Sequence, residues 1–304
     1  MGPLQTQIPV QGILRAHAAW LENPRDGYQA DLSALTLNDQ DLHGADLRKA
    51  ILTGATLLDA NLAGANLSGA KLDRADLQRA NLAGADLTAV DLTDAHCAGA
   101  WLRQAGMSEA VILRASFRRA KLDGAQMFDA SVQESSFAEV TAAAANLHQS
   151  RFYEVDWSES DLRLAQFYHA KLQHCRMAGV AAAGVSFRGA RIDHCDYSRA
   201  VLEEASFLRA EVIQCSFRRA NLRGADFREA TLRGGDFGGA ILAGARFGGA
   251  KLVTADFRGA NMQGARELTQ EQLTHSLTDG ATILPSGARG PYLRYSGAEK
   301  HKPY

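Results

Sequence analysis

From Leu32 to Met262 every fifth residue is apolar, and the register holds through 47 consecutive pentads. Two positions before each apolar centre stands a small residue, usually alanine, as at Ala45, Ala50, Ala55, Ala60 and Ala65. Asp or Asn often comes directly before the centre, as in Ala45-Asp46-Leu47, Ala60-Asn61-Leu62 and Ala225-Asp226-Phe227. Glycine recurs two positions after it, at Gly44, Gly54, Gly64, Gly69, Gly224 and Gly264. A period of five matches neither the 3.6-residue turn of a helix nor the two-residue alternation of a strand. It marks a repeat architecture, in which each unit covers its apolar face against its neighbours.

The repeated A(D/N)LXX unit resembles that of the pentapeptide-repeat family, over about three quarters of the chain. The resemblance implies an all-β fold, a right-handed quadrilateral β-helix. In that fold four pentads form the four walls of one 20-residue coil, and the centre and the small residue face inward. The 47 pentads then make about 12 coils and a rod about 57 Å long at the spacing of paired strands. Sorting the centres by every fourth pentad tests this. Wall 2 reads Leu37, Leu57, Leu77, Cys97, Phe117, Phe137, Trp157, Met177, Tyr197, Phe217, Phe237, Phe257. Wall 4 runs from Leu47 through Met107, Met127 and Leu147 to Phe167, Phe187, Phe207, Phe227 and Phe247. Wall 1 (Leu32 to Leu252) and wall 3 (Leu42 to Met262) are aliphatic except for Phe152. Aromatic rings are therefore expected in two facing columns as core packing, and not as an electron conduit.

A rod of this kind has open sheet edges at both ends, and the flanks read as short helical covers. Val10–Glu22 has apolar residues at Val10, Ile13, Leu14, Ala18 and Leu21, with Pro24 as a stop. Thr269 is placed to cap a short helix with Gln272 in the capping-box position, over a buried stripe of Leu268, Leu273 and Leu277. The expected organisation is an N-terminal helical cap over 1–30, the β-helix over 31–265, and a C-terminal helix with extended tail over 266–304. Residues from Ser296 to Tyr304 are expected to be mobile.

Hydrophobic content is 46%, yet no apolar run has the length of a membrane span. The N-terminus has no basic flank leading into a long apolar run, so no signal peptide is read there. The four cysteines form no CxxC, which points to a reducing, cytoplasmic setting without disulfides. Cys175, Cys195 and Cys215 recur at 20-residue spacing, with His174 and His194 beside them. The cysteines should face inward and the histidines outward, so they read as small buried hydrophobes and not as a zinc site. No metal ligands, cofactor site or catalytic residues are identified. Nucleotide-loop and hydrolase motifs are absent, and the run Arg233–Gly239 keeps the pentad register. Asn66-Leu67-Ser68 matches a glycosylation sequon inside the repeat. A filled rod offers no cleft, so the chain is not expected to be an enzyme.

Function is then expected on the outer surface. Residues 31–100 carry 10 acidic and 5 basic side chains, whereas 161–265 carry 10 acidic and 15 basic. The rod is thus a dipole along its axis. Arg218, Arg223, Arg228 and Arg233 follow the centre on all four walls of one coil and form a candidate belt for an anionic partner. A second candidate surface is aromatic. Phe128, His148, Tyr168 and Leu208 share one outward column, and Tyr153 stands on the adjoining wall in a column with Leu113 and Ile213. Nearby, Ser135, Val140, Ser150, Val155 and Ser160 replace the usual alanine, and Ala142 and Ala182 replace the usual leucine, so the repeat reads as weakest here.

The reading is a non-enzymatic interaction scaffold, a rigid bacterial-type rod that binds a protein partner. The alternative implied by the resemblance is a Qnr- or MfpA-like mimic of DNA that binds DNA gyrase or topoisomerase IV. Duplex DNA carries about one charge per 1.7 Å, or roughly 33 over such a rod, against a net charge of −1 here. The unbroken register also leaves no room for the projecting loops of Qnr-type proteins. A topoisomerase partner is therefore disfavoured and direct nucleic-acid binding is not expected. A homodimer through the C-terminal helix is compatible with the resemblance.

Overall fold

In a computed structural model the chain is a parallel β-solenoid with four-sided coils, described over residues 10–300. Residues 1–9 of the expected N-terminal cap and the last four residues of the tail lie outside the described residues. Coil pairs with coil at a constant step of 20 residues, from Asp31↔Ile51 to Arg246↔Arg266. The ladder is made of backbone bonds such as Leu47 N–H to Asn66 O (2.7 Å) and Asn66 N–H to Ala45 O (2.9 Å). Regular strands are less extensive than the expected 12 coils. They form on wall 1 alone, over seven coils: β1 (Val111–Leu113), β2 (Ser131–Gln133), β3 (Arg151–Tyr153), β4 (Lys171–Gln173), β5 (Arg191–Asp193), β6 (Glu211–Ile213) and β7 (Thr231–Arg233). Elsewhere the coils are joined by single bridges in the same register. The wall is only five residues wide and turns at each end, which leaves little extended backbone to pair.

Two local rules explain the pentad. The second residue after each centre adopts a left-handed backbone, with φ of +62° at Gly44 and +60° at Lys49. That is the requirement of the third position of a type II turn, closed here by bonds such as Ala50 N–H to Leu47 O (3.0 Å). The Asp or Asn before the centre accepts the N–H two residues on, as Asp86 Oδ1 does from Thr88 (2.9 Å) and Asp226 Oδ1 from Arg228 (3.1 Å). Such Asx bonds satisfy an amide that the coil ladder leaves open.

The centres are buried throughout, and so are the small residues except Ala45, which is half-buried near the first coil. Rings stack within wall 2 (Phe117–Phe137 4.6 Å, Tyr197–Phe217 5.1 Å, Phe217–Phe237 5.0 Å) and within wall 4 (Phe207–Phe227 4.9 Å). Between the two walls they meet edge to face, as in Phe187–Tyr197 at 5.7 Å. Both geometries suit the ring quadrupole. Phe152, Trp157 and Phe167 crowd one coil, and the coils on either side carry the small centres Ala142 and Ala182. The serines expected to weaken the repeat are compensated. Ser160 Oγ donates to Phe137 O (2.7 Å) and accepts from Val140 N–H (3.2 Å). Ser150 Oγ bonds Met127 O and the Ala130 N–H in the same way.

Helix α1 (Val10–Glu22) closes the first coil. Its buried side chains are Val10 and His17, while Ala18, expected on the inner stripe, is exposed. His17 spans the open end: Nδ1 accepts from Ala30 N–H (3.0 Å), and Nε2 lies 3.1 Å from Arg48 O. Only the neutral ring with its proton on Nε2 serves both groups. Gly27 lets the chain pass beneath the helix, because a Cβ there would lie 2.0 Å from Ala16 O.

Helix α2 (Gln270–Thr274) carries the expected capping box between Thr269 and Gln272. The Gln272 amide also donates to Phe247 O (3.0 Å) and Ala250 O (2.8 Å) of the last full coil. Leu268 and Leu273 are buried, whereas Leu277, expected in the same stripe, is 52% exposed. The short helix ends before it, and Leu277 instead pairs through its backbone with Asp256. The ladder thus continues past the helix and on to Asn261↔Ile283. The tail expected to be mobile from Ser296 is tied down over its described part. Ala298 is buried, its carbonyl accepts from Ser286 N–H (3.1 Å), and Glu299 accepts from the Tyr292 hydroxyl.

Candidate protein-interaction surface

The turn geometry points the residue after each centre outward, and stacking at 20-residue intervals turns such residues into columns. On wall 4 this aligns Phe128, His148, Tyr168, Arg188 and Leu208. Phe128 is 42% exposed, and His148, Tyr168 and Leu208 are half-buried. The His148 and Tyr168 rings lie 5.6 Å apart, and Arg188 stands over Tyr168 at 5.7 Å. Burial, with the charge of His169 nearby, lowers the pKa of His148, so its ring favours the neutral form. Tyr153, 39% exposed on wall 1, meets His174 edge to face at 5.7 Å. Its column neighbours are Gln133 and Gln173. Leu113 and Ile213 stand further along that column and do not form one apolar strip with it.

The arginine belt encircles one coil, but its charge is unequally available. Arg228 lies against Asp226 (2.7 Å) and Arg218 against Asp236 (2.9 Å). Arg223 and Arg233 have no ion pair among the described residues, and they stand on different walls. The same local pairing holds Arg258 on Asp256, where hydrogen bonds from the guanidinium keep the carboxyl below its ordinary range.

The cysteines are free and buried. Cys215 Sγ accepts from Cys195 N–H (3.4 Å) and donates to Ile213 O (3.3 Å), the bonding pattern of the buried serines. Burial pushes the Cys97 thiol far up, so it stays protonated. His174 and His194 stack outside at 5.3 Å, with His194 Nδ1 on Asp193. Among the described residues no group of His, Cys, Asp or Glu is arranged to hold a metal ion.

One surface was not read from the sequence. Wall 3 exposes Trp101, Leu164, Val201 and Ile241, and carries a shallow depression of about 610 Å³ lined by Ala143, Ala144, Leu164, Ala183 and Gly184 together with Arg163, Glu203 and Glu204. Sorting the outward positions by every fourth pentad, as was done for the centres, brings Trp101, Val201 and Ile241 into one column and places Leu164 on the same wall, two positions after its centre.

Pentapeptide repeats match in eight copies, over 30–108, 143–179 and 183–266. No curated protein matches. Among solved structures, HetL of the cyanobacterium Nostoc, involved in heterocyst differentiation regulation, is 24% identical over 93% of this chain and 99% of its own, with a TM-score of 0.45. QnrB1, a plasmid-mediated fluoroquinolone resistance protein, is 16% identical over 81% of this chain and 90% of its own, with a TM-score of 0.24. A thylakoid-lumen pentapeptide repeat protein of Arabidopsis thaliana is 31% identical over 32% of this chain and 74% of its own, with a TM-score of 0.21. With the coil step, the left-handed turn position and the matched repeats in agreement, the chain belongs to the pentapeptide repeat family.

Proposed function

We propose that the chain is a non-enzymatic scaffold whose rod holds a protein partner against the middle coils of wall 4 and the adjoining edge of wall 1. The observation that supports this is the outward column of Phe128, His148, Tyr168 and Leu208, whose Tyr168 ring lies between His148 and Arg188. Aromatic and arginine side chains held by neighbours lose little freedom on binding and are typical anchors of protein interfaces. The segments 1–30 and 266–304 act in this reading as end covers. A reducing, cytoplasmic setting fits four buried thiols without a disulfide. No helix of the described residues is long and apolar enough to cross a membrane.

The test is capture from native cell extract by the wild-type protein and by a variant with Phe128, Tyr153 and Tyr168 all changed to Ser. These side chains lie outside the core, so thermal stability should change by no more than about 0.5 kcal/mol per site. Loss of a partner should be pronounced, at about 2 kcal/mol or more per anchor. Unchanged capture removes the strip as the contact. The next candidates are then Arg223 and Arg233, whose contribution would weaken with added salt.

A further inference from the structure

Wall 1 carries the regular strands, and one outward column on them is cationic. Arg151, Lys171 and Arg191 are register partners on β3, β4 and β5, and all three are exposed. The coil step sets them about 4.8 Å apart along the rod. Like charges at paired positions on neighbouring strands repel, so the run does nothing for the stability of the sheet. Other arginines of the rod hydrogen-bond a carboxylate, as Arg114 does Asp94 (2.8 Å) and Arg209 does Glu229 (2.8 Å). Here Arg151 is 3.8 Å from Asp129 and Arg191 is 3.5 Å from Glu211, both beyond such a bond. Lys171, in the middle, has no ion pair among the described residues. Arg151 and Lys171 also line a shallow hollow of about 260 Å³, with the neutral polar residues Ser131, Gln133, Tyr153 and Gln173. No carboxylate lines it.

We propose that the protein partner held at this edge presents a short acidic stripe on a helix, whose Asp or Glu side chains seat on the column of Arg151, Lys171 and Arg191. This rests on the reading of the aromatic strip as a partner surface, since Tyr153 belongs to both the strip and the hollow. Charge complementarity names the occupant. The column is cationic over two coil steps, about 10 Å, and then ends. Glu211 follows Arg191 in register, and Asp129 stands at the coil before Arg151. Glu134, Glu154 and Asp193 border it on the side toward wall 2. A long polyanion such as a nucleic-acid strand would run onto these carboxylates, whereas two or three side chains from one helix face do not. Acidic residues three or four apart on a helix have Cβ atoms about 5–6 Å apart, close to the coil step. Alternate residues on a strand are about 6.6 Å apart and drift out of step. The helix lies along the rod, parallel to the column of Phe128, His148 and Tyr168 on wall 4. Arg188, which stands over Tyr168 without an ion pair among the described residues, adds a cation on that side.

The probe is a labelled alanine-based helical peptide with glutamates at i and i+4 positions and a leucine stripe beside them. A matched peptide with lysines in place of the glutamates is the control. Anisotropy titrations with the full chain should show binding of the acidic probe that weakens with added salt, and none of the lysine probe. Lys171→Glu should weaken the acidic probe at least about tenfold. It should keep the wild-type circular dichroism, because Glu211 already stands in the same column on β6. Arg151→Gln, Lys171→Gln and Arg191→Gln together should abolish binding without reversing charge. Arg199→Gln, at an exposed arginine of wall 2, should leave it unchanged. The proposal is overturned if wild type does not bind the acidic probe, binds both probes equally, or loses nothing in the triple Gln variant. It is also overturned if an oligouridylate strand binds this column more tightly than the acidic probe. Capture from cell extract separates this proposal from the aromatic strip. Capture lost on changing Phe128, Tyr153 and Tyr168 to Ser, but kept by the triple Gln variant, leaves the strip standing and overturns the acidic contact. The reverse pattern removes the strip and keeps the acidic contact.

Discussion

Single residues at the ends and in the core hold this rod together in ways that the pentad rule does not express. His17 must remain neutral to accept from Ala30 and donate to Arg48. Burial lowers its pKa from the ordinary histidine value near 6.5. In the unfolded chain the ring protonates as pH falls through that value, while in the folded cap it does not. The stability it contributes is therefore complete above about pH 6.5 and declines as pH falls toward the lower folded pKa. Thermal melts should show the loss between neutral and mildly acidic pH, and His17→Gln should flatten that part of the profile. His17→Ala should destabilise at all pH values by about 1–3 kcal/mol for each backbone group left unpaired. In the core, the Tyr197 hydroxyl and the Trp157 Nε1 are buried without a hydrogen-bond partner. Tyr197→Phe keeps the ring stack with Phe217 and removes a desolvated hydroxyl. It should raise the melting temperature, by about 1 kcal/mol or more of stability, and a lower melting temperature would refute that account.

At the scale of the pentad and the coil, register governs tolerance. Deleting Ala60 to Gly64 rotates every later pentad by one wall. Phe217 and its column would then stand on the aliphatic side, and aromatic centres would meet gaps sized for leucine. Deleting one full coil of 20 residues keeps every column intact and removes only one layer, in keeping with the nearest-neighbour energetics of repeat proteins. Circular dichroism melts should show severe loss for the five-residue deletion and a modest decrease for the full coil; equal melts would contradict the four-walled arrangement. The C-terminal element was legible in part. The Thr269–Gln272 capping box is local and was read from spacing alone. The second role of Gln272, donating to Phe247 and Ala250, depends on where the helix docks and left no trace in the local pattern.

For the whole molecule the decisive quantity is the distribution of charge. Acidic coils at one end and basic coils at the other give a long dipole and no continuous negative face. A duplex mimic needs about one negative charge per 1.7 Å along its entire length. Purified protein should therefore leave gyrase supercoiling unchanged at low-micromolar concentration and should not relieve quinolone inhibition. Sub-micromolar inhibition or protection in a supercoiling assay would place the DNA-mimic reading above the scaffold.

Everything that depends on periodicity was present in the amino-acid order: the coil length, the identity of the inward residues and the two aromatic columns. One five-residue rule repeated in fixed register leaves no other way to bury those side chains. Even the unequal belt was partly legible, since Arg228 has Asp226 two residues before it, whereas Arg223 has Asn221 and Arg233 has Thr231. Only the tertiary structure decided the contacts whose partners are set by stacking or docking. Ser160 reaches across a coil to Phe137, and His17 closes an end that only the docked helix brings near. The backbone of Leu277 extends the ladder where a helical stripe was expected. The exposed apolar residues Trp101, Leu164, Val201 and Ile241 of wall 3 likewise come from far apart in the chain, because the coil step alone places them on one side.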